Sequence, residues 1–257
     1  MENLCDLLFE VSNEDRLTIL RKLSEESMNV TGLAKELSLT TQESSRHLSR
    51  LSDIGLARKN PEGLYLLTPY GELILNLLPG LEFVSEHSKY FSNHSHEHLP
   101  PHLLSRMGEL EENVYLDDAV VALYSIEKMV PRAEEYIWSV NFPVPLSVFP
   151  LLREAFERGV RVRMIGPKGF VVHPVVRGSL HEEDREAILR ARASKLLEER
   201  FVEQMDVLLW MSEREVAVIA LPKPDGAFDS LGFASTDEMT HKWCRDLFLH
   251  YWQKAEP

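Results

Sequence analysis

Six polar residues, Thr41, Gln42, Ser45, Arg46, Ser49 and Arg50, recur at the spacing that lays side chains along one side of a helix. Hydroxyls, a carboxamide and two guanidinium groups in one stripe suit recognition: the neutral groups can read base edges and the cations can meet phosphate. On the other side of the same segment Ser44, Leu48, Leu51 and Ile54 fall at core-facing spacing, with small Ser44 where a neighbouring helix approaches. Thr40-x-x-Glu43 has the spacing of a capping box, and Gly55 suits a left-handed helix end.

The elements around this stripe must hold it outward. Leu33, Ala34 and Leu37 make the inner face of a short helix predicted to begin near Thr31, and Ser38-Leu39 supplies a turn into the polar helix. Leu56–Lys59 and Leu64–Leu67 read as two strands around a Pro61-Glu62-Gly63 tip, with Arg58 and Lys59 on one of them. Helix, turn, helix and hairpin in this order form a winged helix-turn-helix, whose second helix is shaped for the major groove of double-stranded DNA. The expected contacts are Thr40, Thr41, Gln42, Ser45, Arg46, Ser49 and Arg50, with Arg58 and Lys59 on the wing. The plain alternative is an amphipathic helix pair that touches no nucleic acid, a protein-interaction or assembly module, which the acidic total charge favours.

With 257 residues the chain is long enough for two domains, and 44% hydrophobic residues fit a globular protein. No apolar run approaches membrane-spanning length, and the acidic start Met1-Glu2-Asn3-Leu4 does not read as a signal peptide. Cys5 and Cys244 form no metal or redox motif, so a reduced cytoplasmic setting is expected. A formal net charge of -13 excludes a generally sticky nucleic-acid coat but permits a local basic face. Screening confines surface fields to about 10 Å at moderate salt, so distant acidic residues matter little at the DNA.

Asn3–Val11 and Asn13–Leu23 read as helices behind the motif, and Thr68-Pro69 opens another with Leu73, Ile74, Leu77 and Leu78 as its stripe. Apolar residues left over on a continuing helical segment, Leu81 to Phe91, suggest a dimer seam, and operator half-sites favour a homodimer. Residues 1–78 are thus predicted as the DNA-binding domain, 79–102 as a linker helix and His-rich linker, and 103–257 as a regulatory domain. The histidines at 87, 94, 96, 98 and 102 invite a metal, but no fixed carboxylate or cysteine partners accompany them. A solvated linker is expected, with no metal and no cofactor.

From Leu103 onward helices and strands alternate. Helices are expected at Tyr115–Met129, Val148–Arg158, His181–Arg200 and Asp237–Gln253. Strands are expected at Tyr136–Val140, Val160–Ile165, Asp206–Met211, Glu215–Leu221 and Leu231–Ser235, with a turn at Pro222–Gly226. The fold class is α+β overall: an N-terminal winged helix-turn-helix, then a mixed-sheet α/β domain.

The ending DGAFDSLGFASTDEMTHKWCRDLFLHYW, Asp225 to Trp252, resembles the archaeal FilR-type methanogenesis regulators, as does HLPPHLLSRMGELEEN, His98 to Asn113. In that family an ArsR-like winged helix precedes a regulatory domain. The resemblance implies an archaeal, methanogen transcription regulator. The second domain also looks similar to half of a phospholipase D-type fold. Phospholipase D chemistry needs His-x-Lys-x-x-x-x-Asp, and no such spacing occurs; the matching strand, Val207–Met211, carries an indole instead. Without that pair, a Gly-rich phosphate loop or a Gly-x-Ser-x-Gly elbow, the chain does not read as an enzyme, a phosphodiesterase being the weaker alternative. The resemblance to ArsR metal sensors stops at Glu43-Ser44-Ser45-Arg46-His47, which has no cysteine; His47 is expected to be packed or phosphate-facing. A small-molecule effector is expected beyond the carboxyl ends of the strands, near Trp138, Asn141, Lys168, Trp210 and Thr236.

Overall fold

Asn13, Asn29, Thr40 and Thr68 each accept a backbone N–H from the residue three positions on, and each starts a helix. These caps set the frame of the first of two units, which ends at Pro79. The computed structural model describes residues 2–140, 144–169 and 178–257.

The first unit runs α1 (Glu2–Val11), α2 (Glu14–Glu25), α3 (Val30–Glu36), α4 (Thr41–Asp53), β1 (Ala57–Lys59), β2 (Tyr65–Leu67) and α5 (Pro69–Leu77). Its core is Ile19, Leu20 and Leu23 of α2 against Leu33 of α3, Leu48 and Leu51 of α4, and Leu56. Asn29 caps α3, which starts at Val30, within one residue of the expected start near Thr31. Ser38 turns the chain with φ 56, a left-handed conformation unusual outside glycine. Gly71 in α5 is obligatory: a Cβ there would stand 2.3 Å from the Leu56 carbonyl oxygen. On α5, Ile74 and Leu75 pack on the core, whereas Leu73 and Leu77 stay exposed.

The second unit begins at Gly80, so residues 80–102 belong to it rather than to a linker. Its helices are α6 (Pro79–Glu86), α7 (Ser88–Phe91), α8 (Pro101–Leu104), α9 (Ala119–Met129), α10 (Val148–Glu157), α11 (Glu182–Ala193) and α12 (Glu238–Lys254). Its strands are β3 (Val114–Leu116), β4 (Tyr136–Val140), β5 (Arg161–Pro167), β6 (Leu197–Val202), β7 (Leu208–Ser212), β8 (Val216–Ala220) and β9 (Gly232–Ser235). Among the described residues these form one mixed seven-stranded sheet in the order β3-β9-β8-β7-β4-β5-β6. β4, β5 and β6 run parallel, and every other pairing is antiparallel.

Both faces are covered. Val140, Ile165, Leu209 and Met211 pack with Trp243, Leu247 and Phe248 of α12, and Phe83 and Tyr90 join the same core. Ile137, Val162, Met164 and Trp210 pack on the other side with α9 and α10 residues such as Ile126, Met129 and Leu152. All five residues of β8 are buried, as a central strand covered on both faces requires.

Two segments differ from expectation. Tyr115 lies in strand β3, and the helix that follows starts at Ala119, capped by Asp118, whose carboxylate accepts the Val120 N–H at 2.6 Å. The polar helix expected to run to Arg200 stops at Ala193, and Leu197–Val202 is the edge strand β6. An edge strand exposes one side, so it tolerates the charges of Glu198, Glu199 and Arg200 that made this stretch look helical. A bridge between Phe201 and Glu256 covers part of its outer edge.

Candidate nucleic-acid interface and the clefts of the second unit

The recognition stripe is built by α4. Thr40 and Glu43 form the full capping box: the Glu43 N–H meets Thr40 Oγ1 at 3.2 Å, and the Glu43 carboxylate accepts from the Thr40 N–H and hydroxyl at 2.9 and 2.7 Å. These bonds from Thr40 hold the Glu43 carboxyl below the usual range. The Thr40 hydroxyl thus makes two hydrogen bonds at the helix start, on a residue that stays exposed. Ser44, Leu48 and Leu51 are buried and Ile54 is half-buried, which turns Thr41, Gln42, Ser45, Arg46 and Ser49 outward, all exposed.

Arg50 sits differently. Its Nη2 lies 2.6 Å from Glu10 Oε1 and its Nε donates to both carboxylate oxygens at 3.0 and 3.1 Å, so α1 grips one edge of the guanidinium. His47 is packed, 4% exposed, with Nε2 at 3.5 Å from the Asp15 carboxylate. Burial pushes its imidazole below the ordinary value. That settles the two options for His47 in favour of packing.

The wing pairs Ala57 with Leu67, Arg58 with Leu66 and Lys59 with Tyr65. At its tip Asn60 and Leu64 exchange bonds, and Gly63 takes φ 86. Arg58 and Lys59 are exposed, and the Lys59 ammonium lies 5.6 Å from the Tyr65 ring centre. Sequence inspection missed a third partner: Met28 bridges Tyr65, with N–H···O contacts of 3.1 and 2.7 Å, tying the wing to the loop before α3.

Of the five expected effector residues, the four described do not converge. Trp138 pairs with Met211, and Ser139 with Trp210, so the two indoles alternate to opposite faces of the sheet. Trp138 stacks between Tyr136 and Phe248, each ring centre 4.5 Å away, while Trp210 is 2% exposed in the other core. Lys168, just past β5, is spoken for by Glu203 at 2.8 Å and Glu256 at 3.0 Å, whose hydrogen bonds raise its pKa. Thr236 follows β9, which runs opposite to β5 through three antiparallel pairings, so it lies at the other end of the sheet. Asn141 lies outside the described residues.

Two clefts flank these ends. One, of about 350 Å³, lies beside the ends of β5 and β6 and is lined by His98, Lys168, Gln204, Asp206, Tyr251 and Lys254 among others. Asp206 Oδ1 is buried there without a hydrogen-bond partner, and burial raises the carboxyl pKa. The other, of about 200 Å³, is lined by Ser125, Lys128, Arg132, Glu215 and Thr236 among others.

In the His-rich stretch His96, His98 and His102 are exposed, as expected, and His94 is the exception. His94 is buried and stacked on Tyr90 with ring centres 3.9 Å apart. Its Nδ1 faces the Tyr90 carbonyl oxygen at 2.8 Å and its Nε2 faces Asp229 at 3.1 Å. Among the described residues no group of three or more His, Cys, Asp or Glu side chains is placed to hold a metal ion.

Helix, left-handed turn, capped polar helix and pinned hairpin define the first unit as a winged helix-turn-helix. Residues 13–59 match the family model described as bacterial regulatory protein, arsR family. The curated proteins give no sequence match. Among solved structures, TrmBL2, described as an archaeal chromatin protein with a novel mode of DNA binding, is 16% identical over 95% of this chain and 94% of its own, with a TM-score of 0.44. The phospholipase D family member Nuc from Salmonella typhimurium is 12% identical over 51% of this chain and 86% of its own, at a TM-score of 0.32. The methyltransferase RosA from Streptomyces davawensis is 12% identical over 76% and 63%, at 0.27. Likeness this weak does not assign a function. Among the described residues no helix is long and apolar enough to cross a membrane.

Proposed function

We propose that the protein is a DNA-binding transcription regulator that seats α4 in a major groove and lays its wing along the backbone. The observation that carries this reading is the segregation on α4: Thr41, Gln42, Ser45, Arg46 and Ser49 are exposed on one side while Ser44, Leu48 and Leu51 are buried on the other. Exposed Arg58 and Lys59 on the wing, together with the arsR-family match over residues 13–59, support it. In this reading the protein works in the cytoplasm as a homodimer without catalysis. Leu4 and Leu8 on α1, with Leu73 and Leu77 on α5, are apolar side chains left exposed on the first unit, as a subunit contact would use.

The second unit is read as the sensor. A small polar effector that brings a hydrogen-bond donor would satisfy Asp206 in the cleft beside β5 and β6, at the carboxyl ends of parallel strands, where open α/β sheets bind ligands. The FilR-like ending makes a methanogen regulator the finer form of this proposal. Selection from random duplex DNA tests the core of it: enrichment of one sequence by the full chain, lost in Arg46→Ala, is expected. No enrichment at low salt would sink it.

A further inference from the structure

Glu10 stands outside the polar stripe of α4, yet its carboxylate reaches that stripe from α1. The residue is 7% exposed and lies between two guanidinium groups. Arg50 donates to it through Nε and Nη2, and Arg16 Nε stands 2.9 Å from Glu10 Oε2. Arg16 is itself anchored, donating to the Glu10 and Phe9 carbonyl oxygens at 2.7 and 2.8 Å. The Phe9 ring centre lies 5.3 Å from the Arg50 guanidinium carbon, so one face of that group is covered as well. What remains of Arg50 is its far end, on a side chain that stays 42% exposed.

We propose that Glu10 is a positioning residue for DNA binding: it fixes Arg50 so that the free end of the guanidinium meets a backbone phosphate already oriented. The inference rests on the DNA-binding reading above. A free arginine loses much rotamer freedom when it docks, and a side chain gripped by a bidentate carboxylate has lost it beforehand. Glu10 also takes the Nε–Nη2 edge of Arg50 out of reach of a duplex, so any contact is made through its Nη1 end.

The sign of one substitution separates this role from simple electrostatics. A carboxylate near DNA repels phosphate, so replacing it by a neutral amide tightens binding if charge is all that matters. If Glu10 positions Arg50, the same change weakens binding. The test measures anisotropy of a labelled mixed-sequence duplex at low salt with the full chain and with Glu10→Gln, Phe9→Ala, Arg50→Ala and the Glu10→Gln/Arg50→Ala double variant. Arg50→Ala is expected to bind about tenfold more weakly, the scale of one charge-assisted hydrogen bond. Glu10→Gln should lose affinity as well, and the double variant should be no weaker than Arg50→Ala alone. Phe9→Ala, which alters no charge at a position 60% exposed, should weaken binding by a smaller factor. Glu10→Gln binding as tightly as the parent or tighter, losses that add to those of Arg50→Ala, or an Arg50→Ala variant that binds like the parent would each overturn the positioning role. Should Glu10→Gln fail to fold by circular dichroism, Phe9→Ala decides: weakened binding supports the role and unchanged binding overturns it. A parent protein that does not bind the duplex at all overturns the DNA-binding reading instead.

Discussion

Trp138 and Trp210 occupy adjacent strands but opposite faces of the same sheet, one stacked on Phe248 and the other sealed in the core beneath α9 and α10. No single pocket can use both indoles. Trp210→Ala empties a fully packed site and should cost about 3–5 kcal/mol. Half-buried Trp138→Ala should cost clearly less. Urea unfolding followed by circular dichroism gives both values, and equal losses would contradict the assigned layers.

Arg46 is the exposed arginine of α4; its charge helps lower the Glu43 carboxyl, and among the described residues it forms no close ion pair. Arg46→Ala is expected to weaken duplex binding. A phosphate contact should also lower the slope of log affinity against log salt by about 1, whereas a base contact should relax sequence preference and leave the slope alone. A salt titration with two duplexes of different sequence separates these outcomes.

Thr40 forms the capping box of α4 with Glu43. Thr40→Ala removes the acceptor for the Glu43 N–H and should cost about 1 kcal/mol of stability. Thr40→Ser keeps the hydroxyl and should recover most of that loss, together with DNA affinity. Thermal melting of the two variants is the check, and a Thr40→Ala variant as stable as the parent would remove the cap from the argument.

His47 supplies a pH signature. Its pKa is lowered from 6.5 by burial, so the folded chain keeps the ring neutral where the unfolded chain takes up a proton. The unfolded state then binds more protons, and stability rises with pH. This contribution is complete above the unfolded value and is lost as pH falls from about 6.5 through the lowered folded value. Replacing His47 by Gln should flatten that part of the urea midpoint profile. His87 and His250 are lowered by burial too, so the comparison is parent minus variant rather than the raw slope.

Much of the first unit was legible because its signals are local. The capping box, the turn before α4, the proline at the start of α5 and the glycine at the wing tip each act within four residues. The second unit yielded less, and β6 shows why: Glu198, Glu199 and Arg200 carry the charge pattern of a solvated helix, and only its place at the sheet edge makes a strand of it. The expected effector residues scatter for a related reason. Alternation along one strand does not reveal which way its neighbours run, so the sequence groups Lys168 with Thr236, each just past a strand, although a mixed sheet sends them to opposite ends. His94 reads as part of a polar run, while its burial depends on stacking against Tyr90 four residues earlier and on a contact with Asp229, 135 positions away.

The bridge between Met28 and Tyr65 carries a mechanical consequence. Because the hairpin is tied on one side to the loop ahead of α3, the wing that carries Arg58 and Lys59 is braced against the same unit that carries Arg46 on α4, like one jaw of a pair of callipers. If a duplex seats on this unit as proposed, its local groove-to-backbone width is gauged as well as its letters, and sequences that widen or narrow that span are penalised at base pairs no side chain touches.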